Sequence, residues 1–125
     1  MANMVLDKGY KTTAAITQFA CVVQTADDTV VQAAAASAFI IGVCQETISA
    51  ADGTSNRVAN IRVAGISRAI NGTAGALARG TRVTSDASGR VVAATTGKFV
   101  VGVVTVAGAA QGDIVEIELT PGVVV

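Results

Sequence analysis

Hydrophobic and polar positions follow the same order twice along this chain. Residues 39–43 (FIIGV) are an unbroken apolar run, the pattern of a strand buried on both faces. After a polar loop, residues 57–63 (RVANIRV) alternate, with Ala59, Ile61 and Val63 on one side and Asn60 and Arg62 on the other. The order returns with residues 99–103 (FVVGV), a turn of small residues at 107–112, and residues 113–119 (DIVEIEL), where Val115, Ile117 and Leu119 alternate with Glu116 and Glu118. A hairpin pattern precedes each pair, with turn residues at 25–28 and at 86–89. Val23 matches Val83 and Phe39 matches Phe99 at an offset of 60, while Thr29 matches Arg90 at 61, which predicts an inserted residue in the 86–89 turn. Arg57 matches Asp113 at 56, so the second connecting loop is four residues shorter. Two copies are too few for a solenoid, which needs about three or more. The pattern predicts an all-β fold. It is a small β-barrel or β-sandwich built from two similar hairpin-plus-strand units, 21–63 and 81–119, with a connector at 64–80, all in a single β-domain spanning 21–125.

The remaining segments lack this rhythm. Residues 1–20 show no sustained period and contain Gly9, so they are expected to be an extended N-terminal arm. It is either a partly ordered terminus or a segment that orders on a partner, with Leu6, Lys8, Tyr10 and Lys11 as anchors. Residues 33–38 read as a short helical turn or tight loop, and residues 44–56 as a loop with a turn signal at Asp52-Gly53. Within the connector, Gly65 is a bulge candidate and Asn71-Gly72 a hairpin turn. Gly42 and Gly102 interrupt the apolar runs, which points to bulges that bend those strands.

Composition supports the β reading. Val, Ile and Thr supply 43 residues and Leu only three, and β-branched side chains pack best on a pleated surface. The aromatic residues are Tyr10, Phe19, Phe39 and Phe99. A core of Val, Ile and Ala gains little per residue at about 25 cal/mol per Å², so further apolar area is expected to be buried between subunits. Nine basic and nine acidic residues cancel and form no basic stripe, which argues against nucleic acid or a membrane surface as partner. No apolar run approaches the ~20 residues of a membrane span, and residues 1–13 hold no apolar signal core, so folding in a cytoplasm is expected. Cys21 and Cys44 then read as free, buried thiols acting as small hydrophobes, with a disulfide or a metal site as alternatives.

Candidate chemistry is thin. The chain has no His, the commonest general base. Lys98 follows a Gly, but the spacing of a phosphate-binding loop is missing. Neither an enzyme nor a cofactor is expected. Glu116 and Glu118 fit the solvated face of an edge strand, where charge blocks unwanted pairing. In the repeat, however, Arg62 stands where Glu118 does and Arg57 where Asp113 does, so these charges are also candidates to meet across a subunit boundary.

Residues 76–94 (ALARGTRVTSDASGRVVAA), 99–104 (FVVGVV) and 108–119 (GAAQGDIVEIEL) resemble the head decoration, or capsid cement, proteins of tailed bacteriophages. The resemblance implies a structural virion protein, commonly a homotrimer, that folds in the host cytoplasm and binds the outer face of the capsid. There it would bridge neighbouring major capsid protein subunits. The contact candidates are then the arm and loop 44–56, with Glu46, Asp52 and Arg57, ranked above loop 104–112. Two other readings stay open, a tail, fibre or shell component and a small ligand-binding barrel.

Overall fold

The computed structural model describes residues 5–34, 39–54 and 58–124. Among these, nine strands and one short helix form. They are β1 (Leu6–Thr12), β2 (Cys21–Ala26), β3 (Thr29–Gln32), β4 (Ile40–Cys44), α1 (Ala50–Thr54), β5 (Val58–Ile70), β6 (Arg82–Ser85), β7 (Val91–Ala93), β8 (Phe99–Val106) and β9 (Ile114–Val124). The all-β expectation holds, and α1 lies in the long loop 44–56. Arg57 and most of the alanine-rich stretch, residues 35–38, lie outside the described residues.

Residues 6–12, read from the sequence as part of an arm, are a strand of the fold. β1 runs antiparallel to β5, with Lys11 opposite Val58, and parallel to β3, with Thr12 opposite Val30. That closes β1-β3-β2-β4-β5 into a five-stranded barrel. The polar side chains of this strand hide its role. Only Tyr10 and Thr12 are withdrawn from solvent, while Gly9 makes room for Val58, whose Cγ1 would lie 2.7 Å from a Cβ added there.

The second half of β5 then begins a second, similar set with β9, β8, β6 and β7. A parallel bridge from Asn71 to Val91 brings its two ends together. This bridge is the counterpart of Thr12 opposite Val30, so the repeat starts at β1 and not at residue 21. The connector expected at 64–80 supplies the first strand of the second barrel. β5 is one strand of 13 residues shared by both barrels, and Gly65 sits at φ 93 where it passes from one to the other. Asn71-Gly72 is therefore a strand end and not a hairpin turn.

Pairing also corrects the alignment. Val22 opposes Gly42 and Val83 opposes Gly102, so Val83 matches Val22, not Val23. Alternation decides this, because Val22 and Val83 are both fully buried inside their barrels and Val23 is not. The change of offset thus falls after Ala33 and Ala94, in the loops leading to β4 and β8.

Ile16, Val22, Val30, Ile41, Ile48 and Ile61 fill barrel 1. Inside barrel 2, Leu77, Val83, Val91, Val101, Val104 and Ile117 form a cluster that continues onto Cys21, Ala33, Ile40 and Val43 of barrel 1. Barrel 2 therefore packs against the outer wall of barrel 1, and every residue of β4 is buried, whereas Phe39, the first residue of the run expected to be buried, precedes the strand and is half exposed. Each such Val or Ile contributes about 1.5–3 kcal/mol of burial. Bulges fall beside the expected glycines and not at them, and at Gly102 the extra residues belong to the facing strand. Ile41 is the extra residue of β4 against β2, and β9 bulges opposite Val100 and Gly102. The glycines themselves serve a close approach, since a Cβ on Gly42 would overlap the Arg62 carbonyl oxygen and one on Gly102 the Glu118 carbonyl oxygen.

Candidate functional site

The surfaces with most built-in polar structure lie along the seam between the barrels. Cys21 N–H donates to the Gly89 carbonyl at 2.8 Å, across from one barrel to the other. Gln32 holds the same turn, its Nε2 donating to the Ser88 carbonyl at 2.8 Å while its Oε1 accepts from Thr17 N–H at 2.9 Å. Farther along, Gln45 Nε2 donates to Ser67 Oγ at 2.9 Å and to the Val43 carbonyl at 3.1 Å. Phe39 and Phe99, equivalent residues of the two repeats, touch at 5.8 Å between ring centroids.

One open hollow of about 320 Å³ lies on this seam, lined by Phe19, Gln45, Arg62, Ser67, Arg68 and Glu116 among others. Its polar walls suit a peptide or carboxylate surface better than an apolar ligand. Arg62 is already engaged. Its Nε and Nη2 donate to the two carboxylate oxygens of Asp7 at 2.8 and 3.2 Å, and Nη1 donates to the Ile66 carbonyl at 3.1 Å. These guanidinium hydrogen bonds hold the Asp7 carboxyl below its ordinary pKa, against the opposing pull of desolvation, with help from Asn60 Nδ2 at 3.2 Å. Arg62, a candidate from the sequence for a subunit boundary, is paired with Asp7 in its own barrel and keeps about a quarter of its side-chain surface exposed.

The other sequence-predicted residues are spread over the molecule. Leu6 is 59% exposed at the start of β1. Lys8 Nζ lies 4.8 Å over the ring of Tyr10, which is half-buried against the barrel 1 core. Lys11 is exposed, and its N–H donates to the Asp28 carbonyl. Glu46 accepts the Asn60 N–H at 3.0 Å, and Asp52, in α1, donates its N–H to Ser49 Oγ at 3.1 Å. Glu116 faces the hollow, with Arg68 as its cross-strand partner, and Glu118 is exposed opposite Ile66. Val115, Ile117 and Leu119 are buried, so the predicted wet and dry faces of this strand hold.

The sequence reading missed Asp7, Phe19, Gln45 and Arg68. Arg68 was within reach, because the alternation from Val58 runs on through residue 70 once Gly65 is accepted inside the strand. Both cysteines are buried and neither forms a disulfide. Burial, with the Asp86 charge adding to it, pushes the Cys21 thiol up to about 12, so it stays protonated and unreactive at neutral pH. Among the described residues no group of three or more His, Cys, Asp or Glu side chains comes together as a metal site would, and no helix is long and apolar enough to cross a membrane.

No protein-family model matches the chain, and no curated protein sequence matches it. Its fold is that of a solved structure, the N base of the head fiber gp8.5 in bacteriophage phi29. The two superpose with a TM-score of 0.69 over 94% of this chain and 95% of that one, at 13% sequence identity. At this identity the likeness is one of architecture, and it runs the length of both chains.

Proposed function

We propose that this chain is a structural component of a tailed-phage virion that binds the outer surface of the assembled capsid. It would stabilise the shell by bridging neighbouring major capsid protein subunits, with no catalytic role. The observation that carries the reading is the end-to-end match of the double barrel to the base of a phage head fiber. The sequence resemblance of residues 76–119 to head decoration proteins points the same way. A bridging protein has to lose contacts when its two neighbours separate, and stable interfaces of this kind bury about 1,600 Å² in total. The loop carrying α1, with Glu46 and Asp52, and the exposed start of β1 are the surfaces assigned to the capsid.

The fiber neighbour favours one second reading, in which the double barrel is the base of a longer appendage on the same virion. Co-sedimentation of purified protein with empty capsids of the source phage tests both. Saturable binding at a fixed number of sites supports attachment to the shell. A raised capsid melting temperature on binding identifies reinforcement, and binding without that shift identifies a base for an appendage. Failure to bind mature capsids overturns both.

A further inference from the structure

The seam between the barrels is a contact between unlike surfaces, so each chain carries one copy of each surface inside the seam and one outside it. The accepting surface on barrel 1 is Ala20, Cys21 and Gln32, against which Ser88 and Gly89 are seated. Its equivalent on barrel 2 is Thr81, Arg82 and Ala93. The local backbone is reproduced there. Cys44 N–H donates to Ala20 O at 3.0 Å and Val104 N–H to Thr81 O at 2.9 Å, while Ala33 N–H donates to Cys21 O at 2.8 Å and Ala94 N–H to Arg82 O at 2.9 Å. Only the third bond differs. The Cys21 amide meets the Gly89 carbonyl, and among the described residues no carbonyl plays that part for Arg82. Arg82 and Ala93 are exposed.

The seated surface has an equivalent on barrel 1, where the Asp28 carbonyl already accepts Lys11 N–H and the carboxylates are left to meet a partner. Ser88 and Gly89 correspond to Asp27 and Asp28 at the tip of the β2–β3 turn, both exposed. Asp28 takes the same left-handed backbone as Gly89, at φ 71 against 77. The pair of surfaces in the seam is neutral, and the pair outside it carries opposite charges, two carboxylates on one and Arg82 on the other. Beside Arg82's surface lies an open hollow of about 520 Å³ lined by Ala78, Arg79, Thr105, Val106 and Ala107, with a second cation at its edge and Val106 half exposed. Thr105 corresponds there to Gln45, and Ser67, which Gln45 holds across the seam, corresponds to Lys8 of β1.

We propose that copies of this chain associate head to tail through these surfaces. The Asp27-Asp28 turn and β1 of one copy dock on Thr81, Arg82, Ala93 and the adjoining hollow of the next. The occupant is a second copy because the contact continues one already made within the chain, and the charges at its centre are complementary. Phe39 and Phe99 add a geometric argument. Equivalent rings only 5.8 Å apart limit the advance from one barrel to the next to at most that distance, so successive copies would wind tightly and not extend end to end. The inference stands on the duplication alone and holds or fails independently of capsid binding.

Sedimentation velocity over a concentration series tests it. The wild type is expected to form a defined oligomer that weakens as salt rises. Arg82→Glu and the double change Asp27→Arg with Asp28→Arg should each weaken association on the order of tenfold or more, and the three changes combined should restore it. All three sites are exposed, and circular dichroism melts check that each variant is folded. A second measurement fixes the geometry. Asp27→Cys protein mixed with Ala93→Cys protein should form an interchain disulfide under mild oxidation, while the native cysteines stay buried. A wild type that remains monomeric at high concentration, an oligomer indifferent to all the charge changes, or a folded mixture without cross-link would each overturn the proposal.

Discussion

At the turn before its second strand barrel 1 places Phe19 at φ 67, and at the same point barrel 2 places Gly80 at φ 87. A left-handed backbone costs a bulky residue roughly 1–2 kcal/mol and a glycine almost nothing. Phe19 keeps its position because its ring packs against the core of barrel 2, an environment that Gly80 lacks, with nothing within 4 Å of where its Cβ would be. Both turns otherwise share their bonds. Phe19 N–H donates to Cys44 O at 2.8 Å and Gly80 N–H to Val104 O at 2.7 Å. One backbone thus carries two surfaces, and the copy that tolerates strain is the copy with a neighbour. Differences between the barrels mark contacts, and features common to both mark what the fold itself requires.

The largest expected effect tests a shared feature. Gly42→Val and Gly102→Val each force a side chain into a carbonyl of the adjacent strand, and each is expected to cost about 3 kcal/mol or more in chemical denaturation. Gly42 should be the worse site, because β4 is buried on both faces while Val103 and Thr105 of β8 retain some exposure. Wild-type stability in either variant would mean that the strands part easily and that the glycines are not held by close approach.

The barrel closures come next. Asn71 is fully buried, donates from Nδ2 to the Gly75 and Ala110 carbonyls at 3.0 Å each, and accepts Thr73 N–H at 2.8 Å. Asn71→Ala leaves these groups without partners and should cost about 2–3 kcal/mol. Thr12, the equivalent residue of barrel 1, is also fully buried, but barrel 1 closes through a longer β1–β5 and β1–β3 pairing. Thr12→Val should therefore cost only about 1 kcal/mol. Equal losses at the two sites would remove the claim that barrel 2 depends on its single bridge.

The difference between Phe19 and Gly80 should show at about 1–2 kcal/mol. Phe19→Gly relieves the backbone and empties the seam, and loss of the ring should outweigh the relief. Gly80→Ala should cost about 1 kcal/mol by strain alone, with no loss of packing. A Phe19→Gly protein as stable as wild type would show that the ring contributes nothing across the seam.

The pairs of strands β4 with β5 and β8 with β9 were legible because alternation fixes which residues face inward, and a duplicated alternation leaves little freedom in register. What stayed hidden was the start of the repeat. In β1 the residues Asp7, Lys8, Gly9 and Lys11 mask a strand whose inward positions are only Tyr10 and Thr12. Asn71-Gly72 carries the chemistry of a turn, yet Asn71 spends that chemistry inside the fold, bracing two loops. Sequence distance also concealed a bidentate ion pair, since Asp7 and Arg62 are 55 residues apart. Arg62 and Glu118, at matching positions of their repeats, face Asp7 and Ile66 within the chain.

That register yields the smallest and most specific prediction. The same cross-strand position is Asp7 opposite Arg62 in barrel 1 and Ile66 opposite Glu118 in barrel 2. Both members of the ion pair keep about a quarter of their side-chain surface exposed, so solvent screens it and its worth is a few tenths to about 1 kcal/mol. The folded pKa of Asp7 lies below its ordinary value of 3.8. Its stabilisation is therefore complete above that pH and disappears as pH falls through the lower folded value, where protonation breaks the pair. Asp7→Asn should lower stability at pH 7 by up to about 1 kcal/mol and flatten the acid limb of the stability curve below pH 3.8. Glu118→Gln, at the equivalent position with Ile66 opposite, should leave stability at pH 7 nearly unchanged. A Glu118→Gln protein that lost as much stability at pH 7 as Asp7→Asn would mean that the two barrels do not differ here after all.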